Sequence, residues 1–183
     1  MVTLSMLWMP ILLSTVIIFI AANILWMALP FWHHKDYGKI ATGDRIVDLL
    51  VDVPSGQYMI PSADWQNMSK EERERMQTRP GGLLLMRNPM QFNMGAVLGS
   101  FFIYNLVVMI IIGYLSGLAL PSGARYAQVF RFAATAGALA YCFHTISDSI
   151  WYGKPWPVTI RFIIDGIIYG LLIGGTFGWL WPR

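Results

Sequence analysis

The chain has 183 residues, of which 56% are hydrophobic and only 13% carry a charge. Because about a quarter of the residues in soluble domains are charged, this composition excludes an ordinary soluble domain and indicates that lipid is the main solvent. The formal net charge of +3 comes without a basic stripe, so nucleic acid is not an expected partner. A single cysteine, Cys142, excludes a disulfide within one chain.

The first predicted element is a transmembrane helix within residues 1–32. Residues 4–29 carry no charge, and about 20 apolar residues are enough to cross the hydrocarbon layer. Pro30 is expected to end the helix, with Trp26 and Trp32 as anchors at the membrane interface. The start of the chain has no basic region, and no small-residue cleavage site follows the apolar run, so we do not expect a removable signal peptide.

Residues 33–93 form the predicted extramembrane segment, which contains most of the charged residues of the chain. The spacing of apolar residues over 46–53 predicts one short helix, and a capping-box pattern from Ser69 predicts a second. Residues 57–60 and 83–86 are candidates for a small two-stranded ribbon. Because about sixty residues seldom bury a self-sufficient core, we expect this segment to depend on the membrane helices or on a partner.

The rest of the chain, 94–183, predicts three more transmembrane helices at 94–120, 124–150 and 158–181. The short turn at 121–123 implies that the second and third helices are antiparallel neighbours. The predicted fold class is therefore an all-α integral membrane protein, in which four transmembrane helices form one bundle and a small mixed segment separates helices 1 and 2. An even number of spans places both termini on one side of the membrane.

Small residues recur at spacings that bring membrane helices together. In the last predicted helix, a glycine occupies every fourth position in a row that resembles a glycine zipper. The row consists of Gly166, Gly170, Gly174 and Gly178. Shorter rows in the two preceding helices consist of Gly95, Gly99, Gly113, Gly117, Ala133, Gly137 and Ala140. We predict that these faces pack closely against other helices of the chain or of a partner.

Two pairs of ionisable residues lie within the predicted spans. His144 and Asp148 are four positions apart on the third helix, and Arg161 and Asp165 are four apart on the fourth, so each pair shares a face. Ionisable residues in membrane spans usually face the bundle interior. One interpretation is a structural clasp, meaning polar contacts that fix the helix register, in which Arg161 pairs with Asp165 or Asp148 and His144 donates to a carboxylate.

The alternative interpretation is a site that handles protons or metal ions. It would use the same four residues, and the candidate metal ligands are His33, His34 and His144, because imidazole and carboxylate groups suit several divalent metals. The spacing does not select a metal. No cofactor is required by the sequence, which contains no nucleophile elbow, phosphate loop, zinc spacing or dinucleotide fingerprint.

Three segments carry a resemblance to a group of known proteins. They are Trp32–Tyr37, Gly56–Met59 and the stretch from Asp165-Gly166 to Gly178-Trp179-Leu180-Trp181-Pro182. These segments resemble bacterial inner-membrane proteins of similar length that have no assigned activity. The resemblance implies an inner (plasma) membrane location and covers most of the chain, but it implies no activity, cofactor or site.

The expected function is that of a non-enzymatic accessory or assembly subunit of a larger membrane complex. The expected partners are the lipid bilayer and either other membrane subunits or further copies of the chain. The alternatives are a proton- or metal-handling protein and a membrane enzyme. Positive residues beside the spans slightly favour a cytoplasmic 33–93 segment. An even number of spans favours cytoplasmic termini, which is the orientation we expect.

Overall fold

The structure is a computed structural model that describes residues 2–62, 67–87 and 93–183. It divides into two compact units: Met1–Tyr37 with Asn93–Arg183, and Gly38–Phe92. The part of the chain that the structure describes contains four helical segments long and apolar enough to cross a bilayer, which indicates a multi-pass membrane protein. These segments are Leu4–Ala28, Met94–Ala119, Tyr126–Tyr152 and Trp156–Trp179.

The first span is not one uniform α-helix. A short 3-10 turn precedes helix α1 (Trp8–Asn23), and a π-helical turn, Ile24–Ala28, follows it. The Leu29 N–H donates to the Ile24 carbonyl across 3.0 Å, which is the spacing of a π turn. Helix α2 (Pro30–His33) then begins at the proline that we predicted would end the span, because a first helical position needs no N–H donor.

The third span is also interrupted. Helix α5 (Met94–Ala119) forms the second span and helix α8 (Trp156–Trp179) forms the fourth. The third span consists of helices α6 (Tyr126–Cys142) and α7 (His144–Tyr152). Phe143 separates α6 from α7, and the Ile146 N–H bonds to the Phe143 carbonyl three residues back. The single predicted helix 124–150 is therefore two helices, although the buried positions keep their four-residue spacing across the junction.

Helices α6 and α8 approach each other through backbone rather than through side chains. A Cβ atom built on Gly170 would lie 2.7 Å from the Ala134 carbonyl oxygen, and one on Gly174 would lie 2.7 Å from the Phe130 carbonyl oxygen. Gly166 and Gly178 face Cys142 and Tyr126 of α6 in the same way, and Gly137 of α6 faces Gly170. Any larger residue in this row would push the two helices apart.

The small residues of α5 differ in whether another part of the chain packs against them. Gly113 and Gly117 pack against Ile11 and Val2 of the first span, and Ala133 is fully buried. Among the described residues, none from another helix lies within 4 Å of a Cβ built on Gly95 or Gly99. A groove of about 270 Å³ lies on another side of α5, between α1 and α5, beside Trp26, Val97 and Phe101.

Ala140 is exposed, so the structure shows no packing of this residue within the chain. The buried positions of α6 recur at every fourth residue, namely Val129, Ala133, Gly137 and Tyr141. Because four residues overshoot one 3.6-residue turn by about 40°, this buried stripe rotates around the helix. It has moved away from position 140 by the last turn.

Both chain ends lie at one end of the first unit. The Gly123 N–H donates to the Pro182 carbonyl across 2.8 Å, and the Trp181 indole N–H donates to the Pro121 carbonyl across 2.9 Å. At the other terminus, Val2 lies against Gly117 near the same turn. The turn between α5 and α6 therefore holds the C-terminus and lies beside the N-terminus.

The second unit contains helix α3 (Gly43–Leu50), strand β1 (Gly56–Ile60), helix α4 (Lys70–Gln77) and strand β2 (Gly82–Met86). The strands pair antiparallel, with Tyr58 opposite Leu84. Ser69 begins α4 with a capping box in which its hydroxyl accepts from the Glu72 N–H, while its own N–H donates to the Glu72 carboxylate. The two short helices and the two-stranded ribbon that the sequence predicts are present.

Candidate functional site

The most densely connected polar site joins the end of the first span to α8. We call His33, Asp36, Arg161 and Asp165 the His33 cluster. The π turn and α2 together place His33 against Trp26, whose ring stacks on the imidazole with 3.9 Å between centroids and 13° between planes. Phe162 of α8 meets the edge of the same imidazole. Aromatic rings therefore enclose His33, which is buried.

His33 bridges two carboxylates. Its Nδ1 lies 2.5 Å from Asp36 Oδ2, and its Nε2 lies 2.8 Å from Asp165 Oδ2. Both carboxylates are almost completely buried. A doubly protonated imidazole donates to both oxygens at once, whereas a neutral ring carries a single N–H donor.

Arg161 holds the outer carboxylate of this bridge. Its Nε donates to Asp36 Oδ1 across 2.7 Å, and its Nη2 forms an ion pair with the same oxygen. Burial by itself raises the pKa of the Asp36 carboxyl, but the hydrogen bonds from His33 and Arg161 and their charges outweigh it, so the pKa falls below the ordinary 3.8. Asp36 is therefore an anion at neutral pH.

Asp165 is the inner carboxylate. Its Oδ1 accepts the indole N–H of Trp32 across 2.7 Å, while Oδ2 faces His33. The cluster thus contains two carboxyl groups, one guanidinium and one imidazole in direct contact. Removal of any one of them would leave its partners without that contact, and an uncompensated charge is costly in a site of low dielectric constant.

A second buried polar contact lies deeper among the helices. Tyr169 follows Asp165 by one turn of α8, and its ring meets the ring of Tyr141 edge-on at 5.3 Å. The Tyr141 hydroxyl donates to the Asn105 side-chain oxygen across 2.6 Å. Polar side chains thus continue from the His33 cluster toward α5.

The structure brings together only part of the predicted polar cluster. Arg161 and Asp165 both belong to the His33 cluster, but they contact Asp36 and His33 rather than each other. His144 is exposed, and Asp148 is about half exposed, with Lys154 Nζ at 3.9 Å from its carboxylate. The predicted pairings of Arg161 with Asp165 or Asp148, and of His144 with a carboxylate, are corrected accordingly.

His144 and Asp148 face outward because the buried stripe of α6 continues into α7 at every fourth residue, from Tyr141 to Thr145 and Ser149. The two buried residues of α7 are thus each one position further along the chain than the predicted pair. Ser149 hydrogen-bonds Thr159 of α8 across 2.5 Å, and Lys154 Nζ donates to the Thr145 hydroxyl across 2.7 Å. Hydroxyl groups therefore occupy the place that we predicted for the charged pair.

Sequence reasoning missed three members of the site. Trp26 and Trp32 were interpreted as membrane anchors, and Asp36 was assigned to the extramembrane segment. One local signal was present, because His33 and Asp36 are three positions apart at the end of a span, which puts them on one face of a helical turn.

The predicted metal ligands are not brought together. His33 has both ring nitrogens directed at carboxylates, while His34 and His144 are exposed. Across the described ranges 2–62, 67–87 and 93–183, no group of three histidine, cysteine, aspartate or glutamate residues is arranged to hold a metal ion. The residues present in these ranges therefore do not fit a metal centre.

No protein-family model, curated protein or solved structure matches this chain. The function of the chain is therefore inferred from the contacts of the His33 cluster.

Proposed function

We propose that this chain is a non-enzymatic accessory or assembly subunit of a larger membrane complex, with the His33 cluster as its structural clasp. The proposal rests on one observation, which is that the hydrogen-bonding groups of the cluster bind one another. His33 uses both ring nitrogens, Arg161 is bound to Asp36, and Asp165 accepts from both Trp32 and His33. Such a site favours a fixed structure over binding and turnover of a substrate.

A clasp of this kind specifies which surfaces meet. A complete buried ion pair adds little net stability, but removal of one partner costs about 3–5 kcal/mol because a charge is left uncompensated. Any arrangement that separates residues 32–36 from α8 is therefore destabilised, because it breaks the contacts of the cluster. A rigid bundle of this kind suits a subunit that presents a constant surface to its neighbours.

The start of α5 offers the surface on which a partner helix could pack. Gly95 and Gly99 have no neighbour from another helix within 4 Å, whereas Gly113 and Gly117 on the same helix are used in internal packing. Membrane helices associate through small residues that allow close backbone approach. The proposed occupant is a transmembrane helix of another subunit or of a second copy.

The test is native mass and partner recovery from the tagged full-length chain in mild detergent. We expect a stable complex with partners in fixed stoichiometry, well above the 20.7 kDa of one chain. Gly99→Leu should release the partner without changing the thermal stability of the chain. Gly170→Leu, the matched variant inside the bundle, should lower that stability. If native membranes extracted in mild detergent yield the chain as a monomer without partners, the proposal is refuted.

A second candidate function is proton handling, which the position of His33 between two buried carboxylates favours. Deeper in the bundle, the Tyr169 ring meets the Tyr141 ring edge-on, and the Tyr141 hydroxyl donates to Asn105. The test is proton flux into proteoliposomes, measured with an enclosed pH dye. Flux that is lost in His33→Gln and kept in His34→Gln would favour proton handling over a purely structural clasp.

We also propose that the protein lies in the bacterial inner membrane with both termini in the cytoplasm. The proximity of the N-terminal turn and the C-terminus at one end of the first unit supports a common side for both. An alkaline phosphatase fused after Arg183 should be inactive, and a fluorescent protein at the same position should be bright. Active phosphatase would reverse the orientation.

A further inference from the structure

Helix α3 separates apolar from charged residues around its axis. At 100° per residue, Asp44, Arg45 and Asp48 fall on one side. The opposite side consists of Ile46, Val47, Leu49 and Leu50, and Val51 continues it at the helix end in a helical conformation. The helix is therefore amphipathic, and its charged side carries more acidic than basic residues.

The apolar side of α3 is partly covered at its centre, where Ile46 is 36% exposed and Leu50 is half-buried, and it is uncovered at its edges. Leu49 is 81% exposed, Val51 is 76% exposed and Val47 is 66% exposed, and no residue of the helix is buried. Full burial of one such aliphatic side chain is worth about 1.5–3 kcal/mol. The side chains of this face thus have a substantial free energy to gain from an apolar environment.

The length of the chain keeps α3 close to a bilayer surface. Asp36 is fixed to α8 through Arg161 at the end of the first span, and Gly43 follows it by seven positions. An extended chain of that length reaches about 25 Å at most. Tyr37 and Ile40, which lie between them in the chain, are also exposed.

We infer that α3 lies in the bilayer interface, with its apolar side toward the acyl chains and its aspartate side toward water. Interfacial helices are commonly rich in lysine and arginine and are attracted to anionic lipids. The side of α3 that faces water carries Asp44 and Asp48, so buried apolar area and not charge holds it on the membrane. Zwitterionic lipid is therefore sufficient, and the inference stands independently of the proposed accessory role.

The test uses an environment-sensitive NBD label on the full-length protein in phosphatidylcholine nanodiscs that contain nitroxide-labelled lipid. Val47→Cys and Leu49→Cys place the label on the apolar side, and Asp48→Cys is the matched control between them. Wild type serves as the blank because Cys142 is buried. We expect blue-shifted emission at 47 and 49 and several-fold stronger quenching by the lipid nitroxide there than at 48.

Two outcomes would overturn the inference. Equal emission and equal quenching at 48 and 49 would show that the helix is in water. Blue-shifted emission at 49 without lipid quenching would show that protein, from a second copy or a partner, covers the face. As a further check, Leu49→Asp should reduce the quenching of a label at Val51→Cys, whereas Asp48→Asn should leave that quenching unchanged.

Discussion

His33 Nε2 lies 2.8 Å from Asp165 Oδ2, although 132 positions separate the two residues in the chain. This contact joins the end of the first span to the last span, and Asp36 and Arg161 reinforce it beside the same imidazole. Because both carboxyl groups contact the same ring, loss of the ring removes both contacts at once. The stability of the bundle should therefore depend on His33 more than on either of the other histidines.

The first prediction compares two histidines. His33→Gln should lower the thermal stability of the detergent-solubilised protein, because the neutral amide leaves two buried carboxylates with one guanidinium and removes the ring that stacks on Trp26. His144→Gln should change stability little, since His144 is exposed. Thermal unfolding followed by tryptophan fluorescence measures both. Equal losses in the two variants would argue against a special role for His33.

The second prediction concerns acid. The pKa of Asp36 is lowered below 3.8 in the folded protein, so its contribution to stability is complete at pH values above the ordinary value and is lost as the pH falls through the lowered pKa. Unfolding midpoints measured from about pH 6 to about pH 3 should decline at the acid end of that range. Asp36→Asn should start lower and decline less. Parallel pH profiles would contradict the prediction.

The third prediction concerns the contact between α6 and α8. A Cβ on Gly174 would lie 2.7 Å from a backbone oxygen, so Gly174→Ala should already destabilise by about 1–3 kcal/mol, as overpacking does, and Gly174→Leu by more. Gly99→Ala is the control, because a Cβ there meets nothing within 4 Å. Unfolding in detergent is the measurement. Unchanged stability in both Gly174 variants would mean that the helices separate easily.

The spans and the small ribbon were predictable because their signals are local. Four segments of 24 to 27 residues, each with a strongly apolar 18-residue stretch, leave few alternatives to membrane helices, and the Ser69 capping box requires only residues three apart. The α6–α8 contact was predictable in part, since the glycine row recurs at helical spacing. Which helix it faces depends on tertiary packing and not on the row itself.

The contacts of the His33 cluster were not predictable from spacing. Arg161 and Asp36 are 125 positions apart, and no local pattern links residues that only the folded bundle brings together. Spacing alone pairs ionisable residues within one helix or on neighbouring helices, and it assumes that each span is a regular helix with one fixed buried face. The π turn at Ile24–Ala28 departs from that assumption in the first span. In the third span, the buried stripe drifts around the helix at four-residue spacing.

The most direct test of the clasp is a double-mutant cycle on Asp36 and Arg161, measured as free energies of unfolding. Asp36→Asn alone leaves Arg161 near a neutral amide, and Arg161→Gln alone leaves two buried carboxylates with one imidazole. Each single variant should therefore lose up to about 3–5 kcal/mol, and the double variant should lose less than the sum of the two. The matched cycle on Asp148 and Arg161 should show no coupling. Additive losses at Asp36 and Arg161, or coupling of Arg161 to Asp148 instead, would contradict the account.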